Sequence, residues 1–402
     1  MSDGPKLTIA GKLIILVFIT ACFAGAWVLF MNKPIPKPGA PDGKTTVDPG
    51  TGQAPANPNA PTIGIAYGTE KKRWLEWATE RWRATPQGGK VNVELIPMGS
   101  LEGAQAILAG NKKIHVWSPA SALYKDVFVQ EWQVKHGGNP IGKEDALALT
   151  PMVLVSWDVR HQAFVQKYGK MDFQTISQAL KEKGGWDAIA QKPEWGLFKF
   201  GHTHPNQSNS GLMTLCLLLY DYGKKTRGLE LKDLVDVGFQ NWMQDFERGV
   251  TGLPNSTGNM MREMVLKGPS SYDVVCVYEN VAIDYLKNAE GRWGDLKISY
   301  PKLNMWNENP YYVLNAPWVS PEQRKAAEAF LEFLLSEPIQ KEALTHGFRP
   351  GNPSVSIKSP ESPFVLYTKS GLQVDLTTMC EPPKAEVLNN LLVSWQRSQG
   401  NR

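Results

Sequence analysis

The chain has 402 residues, 43 of them Lys or Arg and 39 Asp or Glu, for a net charge of +4. That near-balance, with no stretch that concentrates basic residues among aromatics, excludes a nucleic-acid-binding protein. Four cysteines, at positions 22, 216, 276 and 380, form no C-x-x-C pair, so zinc and redox motifs are excluded and a disulfide stays open.

Leu13 to Met31, "LIILVFITACFAGAWVLFM", carries no charge and matches the roughly 20 apolar residues that cross a bilayer as a helix. Lys6 and Lys12 precede it and favour a cytoplasmic N-terminus over residues 1–12, with the body outside the inner leaflet. The expected localisation is the inner membrane, single-pass, with the body in the periplasm or outside the cell. A cleaved signal peptide has a shorter apolar core. "ITAC" before Cys22 also resembles a lipoprotein cleavage box, but the apolar run continues past it. An uncut anchor at 13–31 is the favoured reading, followed by a Pro/Gly-rich tether over 32–61 that cannot bury enough surface to fold.

Strand and helix patterns alternate from Thr62. "TIGIAYG" reads as a buried strand, and "TEKKRWLEWATERWRA" as a helix whose tryptophans form a core stripe. "KVNVELIPMGS" is a strand, "LEGAQAILAGNKK" a helix, "IHVWSPAS" a strand and "ASALYKDVFVQEW" a helix. The alternation continues through "ALTPMVLVSW", "WGLFKFGHT", a helix from Asn209, "YDVVCVYEN" and a helix from Asn280. It predicts an α/β body with a largely parallel sheet. Two β-rich runs follow, "LKISYPKLN" and "PYYVLNAPWVS". Then one amphipathic helical unit opens on the Ser320-Pro321-Glu322 start signal, and a last helix spans "PKAEVLNNLLVSWQRSQG".

Small polar residues recur where strands give way to helices: Gly68-Thr69, Gly99-Ser100, Ser118 to Ser121, Ser208 to Gly211, and Glu279-Asn280, with Asn255 to Gly258 adding another helix start. One such site is ordinary capping. Several, at the carboxyl edge of a sheet, would set bare helix N–H groups around a pocket for a compact ligand. Candidate ligand contacts are Gly68, Thr69, Ser100, Ser118, Ser121, Ser208, Asn209, Ser210, Tyr278 and Glu279. His202 and His204, two apart on a strand end, have no nearby third ligand, so no metal is expected. Arg349 reads as a bracing residue. No G-x-S-x-G, H-E-x-x-H or phosphate loop occurs; no catalytic residue and no cofactor is expected.

The stretches "WSPAS", "PEWGLFKFGHTHPNQSNSGL", "NSTGNMMREMVLKGPSSYDVVCVYEN" and "GFRPGN" give the chain a resemblance to bacterial extracytoplasmic solute-binding proteins of the type II periplasmic-binding fold. The branch it looks closest to is the one associated with von Willebrand A domain proteins. The resemblance covers roughly residues 62–353. It implies a two-lobed α/β fold behind one N-terminal transmembrane helix, with lobe 1 over 62–152 and 310–402 (an extension from about 353) and lobe 2 over 153–309. It also implies a small polar or oxyanionic solute held between the lobes. A membrane partner would be a permease, a channel or a von Willebrand A protein. The alternative function is a ligand-free adaptor of a membrane complex. The departures from the pattern are carboxylates: Glu70 in "YGTEKKR", near the cleft mouth, and Glu279 in "VYEN".

Overall fold

The computed structural model describes residues 60–289, 293–376 and 378–399. The apolar run at 13–31, Cys22 and nearly all of the tether lie outside these residues. Among the described residues no helix is long and apolar enough to cross a membrane.

Among the described residues, eleven strands form two sheets: β1 (Thr62–Tyr67), β2 (Asn92–Pro97), β3 (Val116–Ser118), β4 (Ile141–Ala146), β5 (Ala148–Trp157), β6 (Phe200–Gly201), β7 (Val274–Tyr278), β8 (Leu296–Ser299), β9 (Trp306–Asn307), β10 (Pro310–Leu314) and β11 (Arg349–Pro350). The first sheet has the order β2-β1-β3-β10-β4, and the second runs β11-β5-β7-β6 with β8 and β9 also on β5. Each sheet, with the helices on it, makes one lobe.

The expectation of a largely parallel sheet holds only for part of the first lobe. There β1 pairs in parallel with β2 and β3, while β10 is antiparallel to both β3 and β4. In the second sheet β5 is antiparallel to β7, β8, β9 and β11, and only β6 and β7 are parallel. The reason is that β5 enters from the other lobe and is buried along nearly its whole length. A strand buried on both faces shows the same continuous apolar run in either orientation, so its direction is not encoded in its pattern.

The first lobe's core forms as the helical spacing of its tryptophans requires. From the Lys72–Arg83 helix, Trp74, Leu75, Ala78 and Trp82 turn inward. Trp82 meets Phe330 edge-on at 5.4 Å, and Trp74 lies 5.7 Å from Phe348. Each such ring buries roughly 150–250 Å², worth about 4–6 kcal/mol at ~25 cal/mol per Å² before ordering entropy is subtracted. Trp77 stays at the edge, under the Arg81 guanidinium. The helical unit expected after Ser320 is two helices, Pro321–Leu334 and Glu337–Thr345. Ser336 and Pro338 restart it, because proline fits the first turn of a new helix but not the interior of an old one.

In the second lobe, Asn209–Gly223 is buried on every side from Asn209 to Asp221, as a helix apolar all round must be. The closing helix, Ala385–Gln399, packs here and not on the first lobe: Trp395 donates its Nε1–H to Glu247 at 2.8 Å and lies against His204. Cys216, Cys276 and Cys380 are free and buried.

The chain crosses between lobes at Leu147, joining β4 to β5, and at Glu308 and Asn309, joining β9 to β10. Asn309 has φ +45° and is fully buried. Its backbone N–H donates to Ala120 O, its carbonyl accepts from Leu147 N–H, and its Nδ2 donates to Ala148 O at 3.1 Å. Its Oδ1 accepts from the Lys71 ammonium at 3.1 Å. At a third passage between the lobes, Arg349 donates from Nε and Nη2 to both oxygens of Glu279, each at 2.7 Å. Tyr300 O–H also donates to Glu279, and Arg349 holds the Gln373 and Val374 carbonyls.

Two predictions come from this framework. Arg349→Met would strand the buried Glu279 carboxylate and cost about 3–5 kcal/mol in urea unfolding, whereas Arg349→Met combined with Glu279→Leu would recover most of that loss. The second concerns His115, whose Nδ1 accepts the Gly64 N–H at 2.9 Å beside Gln323. Burial lowers its pKa from 6.5, against weaker opposing effects of the Lys113 backbone and Glu94. An unfolded His115 therefore takes up a proton that the folded one resists. Its contribution is complete above the ordinary value of 6.5 and is lost as pH falls through it. The melting temperature should drop more steeply between about pH 8 and about pH 5 in the wild type than in His115→Gln.

Candidate ligand-binding cleft

A cavity of about 240 Å³ opens where strand ends of the two sheets face each other. The first lobe supplies Gly68, Thr69 and Glu70 after β1, and Met98, Gly99, Ser100 and Glu102 after β2. The second supplies Gln207, Ser208 and Asn209 after β6, then Asn255, Ser256, Thr257 and Asn259, and Tyr278 at the end of β7. A wider groove of about 410 Å³ lies between the helices Leu231–Leu234, Val237–Arg248 and Ala385–Gln399. It takes nothing from the first lobe.

Three α-helices have their first residue in the wall of the smaller cavity: Ser100–Leu108, Asn209–Gly223 and Thr257–Lys267. Their tips are not equivalent. Ser256 Oγ accepts the Asn259 N–H, so that tip is capped from within; Glu102 accepts the N–H of Gly99, the residue ahead of the Ser100 helix, at 3.1 Å, and that helix has no side-chain cap. The Asn209 helix has no side-chain cap from Ser208. The Gly211 N–H turns back to the Ser208 carbonyl, and the N–H groups of Asn209 and Ser210 are left as open donors.

Of the ten expected contacts, Gly68, Thr69, Ser100, Ser208, Asn209 and Tyr278 line the cavity. Ser118, Ser121, Ser210 and Glu279 do not. Ser118 is fully buried; its carbonyl accepts the Gly68 N–H, and its hydroxyl has no partner among the described residues. Ser121 donates its hydroxyl to Asn209 Oδ1 at 2.9 Å, a bond from one lobe to the other. Ser210 sits behind the surface with its Oγ within 2.7 Å of Thr203 Oγ1, 2.6 Å of Thr257 Oγ1 and 3.2 Å of Ser208 Oγ. Glu279 is spent on Arg349: burial pushes its carboxyl up, and the guanidinium pulls against that shift.

The polar wall is held by its own network. Asn209 Nδ2 donates to Tyr278 OH at 3.0 Å and to Asn307 Oδ1 at 2.9 Å, and Asn307 in turn donates to Thr150 O. Burial, with Glu70 adding to it, raises the Tyr278 hydroxyl well above its usual range, so it stays protonated and can donate. Gln207, Asn259, Met98 and Glu102 were missed in the sequence; Asn255 to Thr257 stood out only as a helix start. Gln207 lies within the "PEWGLFKFGHTHPNQSNSGL" stretch but has no periodic signal of its own. Asn259 and Glu102 lie on the first turns of flagged helices, where the rise of a helix brings such positions back to its tip.

His202 and His204 do not line the cavity. His202 Nε2 lies 2.9 Å from Glu247, and its Nδ1 is 2.8 Å from the Thr203 carbonyl. Among the described residues no group of three His, Cys, Asp or Glu side chains could hold a metal ion.

The fold matches solved structures at low identity. The sulfate-binding protein SubI from Mycobacterium tuberculosis aligns with 16% identity and a TM-score of 0.53, covering 85% of this chain and 99% of that one. A periplasmic thiamin-binding protein aligns at 13% identity and a TM-score of 0.58, covering 86% and 99%. The ferric-binding protein from Campylobacter jejuni aligns at 13% identity and a TM-score of 0.55, covering 84% and 99%. Comparison with curated proteins gives no significant match. A family model described as bacterial extracellular solute-binding protein matches residues 63–349, which span both sheets and every residue of the cavity, and the chain therefore belongs to that family.

Proposed function

We propose that the protein is a membrane-anchored extracytoplasmic receptor that captures one small polar solute between its lobes for transport or sensing. The observation that carries this reading is the cavity, built from strand ends of both sheets, with the open tip of the Asn209 helix in its wall. Its volume corresponds to about eight water molecules at ~30 Å³ each, the scale of a compact metabolite. Four to six hydrogen bonds, at roughly 1.5–3 kcal/mol when one partner is charged, suffice for a micromolar site after immobilisation is deducted. The solute-binding proteins similar in fold, named for ligands as different as sulfate and thiamin, agree with capture of a small solute. The Leu13–Met31 run supports the anchor, and the motifs around "HTHPNQSNSGL" support the branch that works beside von Willebrand A proteins.

Capture works by population shift. A solute stabilises the closed arrangement because only there can it touch both lobes. Gly99 tests this. A β-carbon added to it would stand 2.6 Å from the Gln207 carbonyl oxygen of the opposite lobe. The backbone of Gly99, at φ −63° and ψ 154°, accepts alanine without strain. Gly99→Ala should therefore weaken capture at least tenfold, about 1.4 kcal/mol, with little change in the melting temperature of the solute-free protein. Calorimetry on the full chain in detergent reads the first, and thermal unfolding the second. Unchanged affinity would show that closure across Gly99 and Gln207 is not part of binding.

A further inference from the structure

The cavity's charges are one-sided. Its ionisable side chains are Glu70 and Glu102; no Lys, Arg or His lines it. Glu70 is the inner one, its side chain only 6% exposed. It folds back over Gly68, where a β-carbon would lie 2.3 Å from Oε1, so glycine is what leaves room for it. Oε1 accepts from the Lys71 ammonium at 2.6 Å. Among the described residues no hydrogen bond reaches Oε2, the other oxygen of this largely buried side chain in the wall of the cavity.

Lys71 cannot serve an anion in Glu70's place. It is fully buried, and its three N–H groups are taken by Glu70 Oε1, Pro119 O and Asn309 Oδ1. The helix tips offer an anion less than they first suggest. Each is equivalent to roughly half a positive charge, and the tip of the Thr257 helix is already capped by Ser256. A free oxyanion would thus meet two carboxylates and no accessible cation. A solute with a protonated nitrogen would meet the open Oε2, with amides and hydroxyls to take its remaining polar groups.

Resting on the capture reading above, we infer that the captured solute is a compact organic cation, an amine or guanidinium, whose N–H donates to Glu70 Oε2. Lys71 carries that contact to the hinge, since the same ammonium holds Glu70 and Asn309. The cation therefore docks on the carboxylate whose ion-pair partner holds the asparagine of the crossing strands.

The experiment is calorimetry and thermal shift on the full chain in detergent. The probes are arginine, agmatine, putrescine and ethanolamine, set against sodium sulfate, sodium phosphate and glucose. At least one nitrogenous cation should bind, and Glu70→Gln should weaken it tenfold or more. Because Glu70→Gln leaves Lys71 buried without its counter-charge, the paired variant Glu70→Gln/Lys71→Met is measured alongside, with circular dichroism to confirm its fold. It should show the same loss. Binding of sulfate, phosphate or glucose with no cation bound would overturn the inference and leave solute capture standing. So would a cation whose affinity changes less than twofold in both variants. No shift with any probe of either set would remove the capture reading as well.

Discussion

The structure depends on keeping the polar groups of the crossing strands satisfied away from water. Two strands pass between lobes at Leu147 and Asn309, and Asn309 ties them with both its backbone and its amide. An unpaired amide buried there would cost roughly 1–3 kcal/mol, a large share of a typical folding free energy. Asparagine suits the position for a second reason. At φ +45° most side chains are strained, while Asn is among the few that enter this region readily. Lys71 extends the arrangement. Burying an ammonium is unfavourable unless it is paired and fully hydrogen-bonded, and here the pairing comes from Glu70, a residue of the cleft. Hinge and cavity thus share one buried ion pair.

The second buried ion pair has a different consequence. Glu279 and Arg349 lie at a strand-to-helix junction of the same kind as the cleft residues, yet neither lines the cavity. The two nitrogens that Arg349 gives to Glu279, with Tyr300 beside them, satisfy the carboxylate within the protein. Polar residues at strand ends therefore divide into two sets. Ser118, Ser210 and Glu279 are turned inward, and Ser208, Asn209 and Tyr278 form the wall. Even Asn209 has its amide committed to Ser121, Tyr278 and Asn307, so its side chain shapes the wall while its helix tip supplies the free donors.

How far the sequence could be read follows from this division. Helix and strand identity is written in apolar spacing, and the Trp74–Trp82 face and the Asn209 helix follow it closely. Strand direction in the second sheet is not so written, because β5 looks the same whichever way its neighbours run. The cleft was legible where a helix begins after a strand, as at Ser100 and Ser208. It was not legible where the decision lay between two orientations of one side chain. Nothing in "VYEN" says that Glu279 meets an arginine seventy positions later. Nothing in "GTEKK" says that Lys71 turns into the protein while Lys72 and Arg73 stay in water. Those choices are made by tertiary partners, through the large difference between a paired and an unpaired buried charge.

The contacts between lobes set how much a solute has to do. Ser121 with Asn209, and Asn280 Nδ2 with the Glu70 carbonyl at 3.1 Å, already bridge the gap. These two are neutral, each worth about 0.5–1.5 kcal/mol net, and the half-exposed Arg73–Asp284 pair at 3.8 Å, also between the lobes, adds about 0–1 kcal/mol. A closed state favoured strongly without solute would gain nothing from binding, since a ligand moves an equilibrium only by its difference in affinity for the two states. A cleft closed by a handful of such bonds leaves that difference to the solute. The sharpest source of it is a charged contact at Glu70, because the same carboxylate anchors the cation that holds the hinge asparagine.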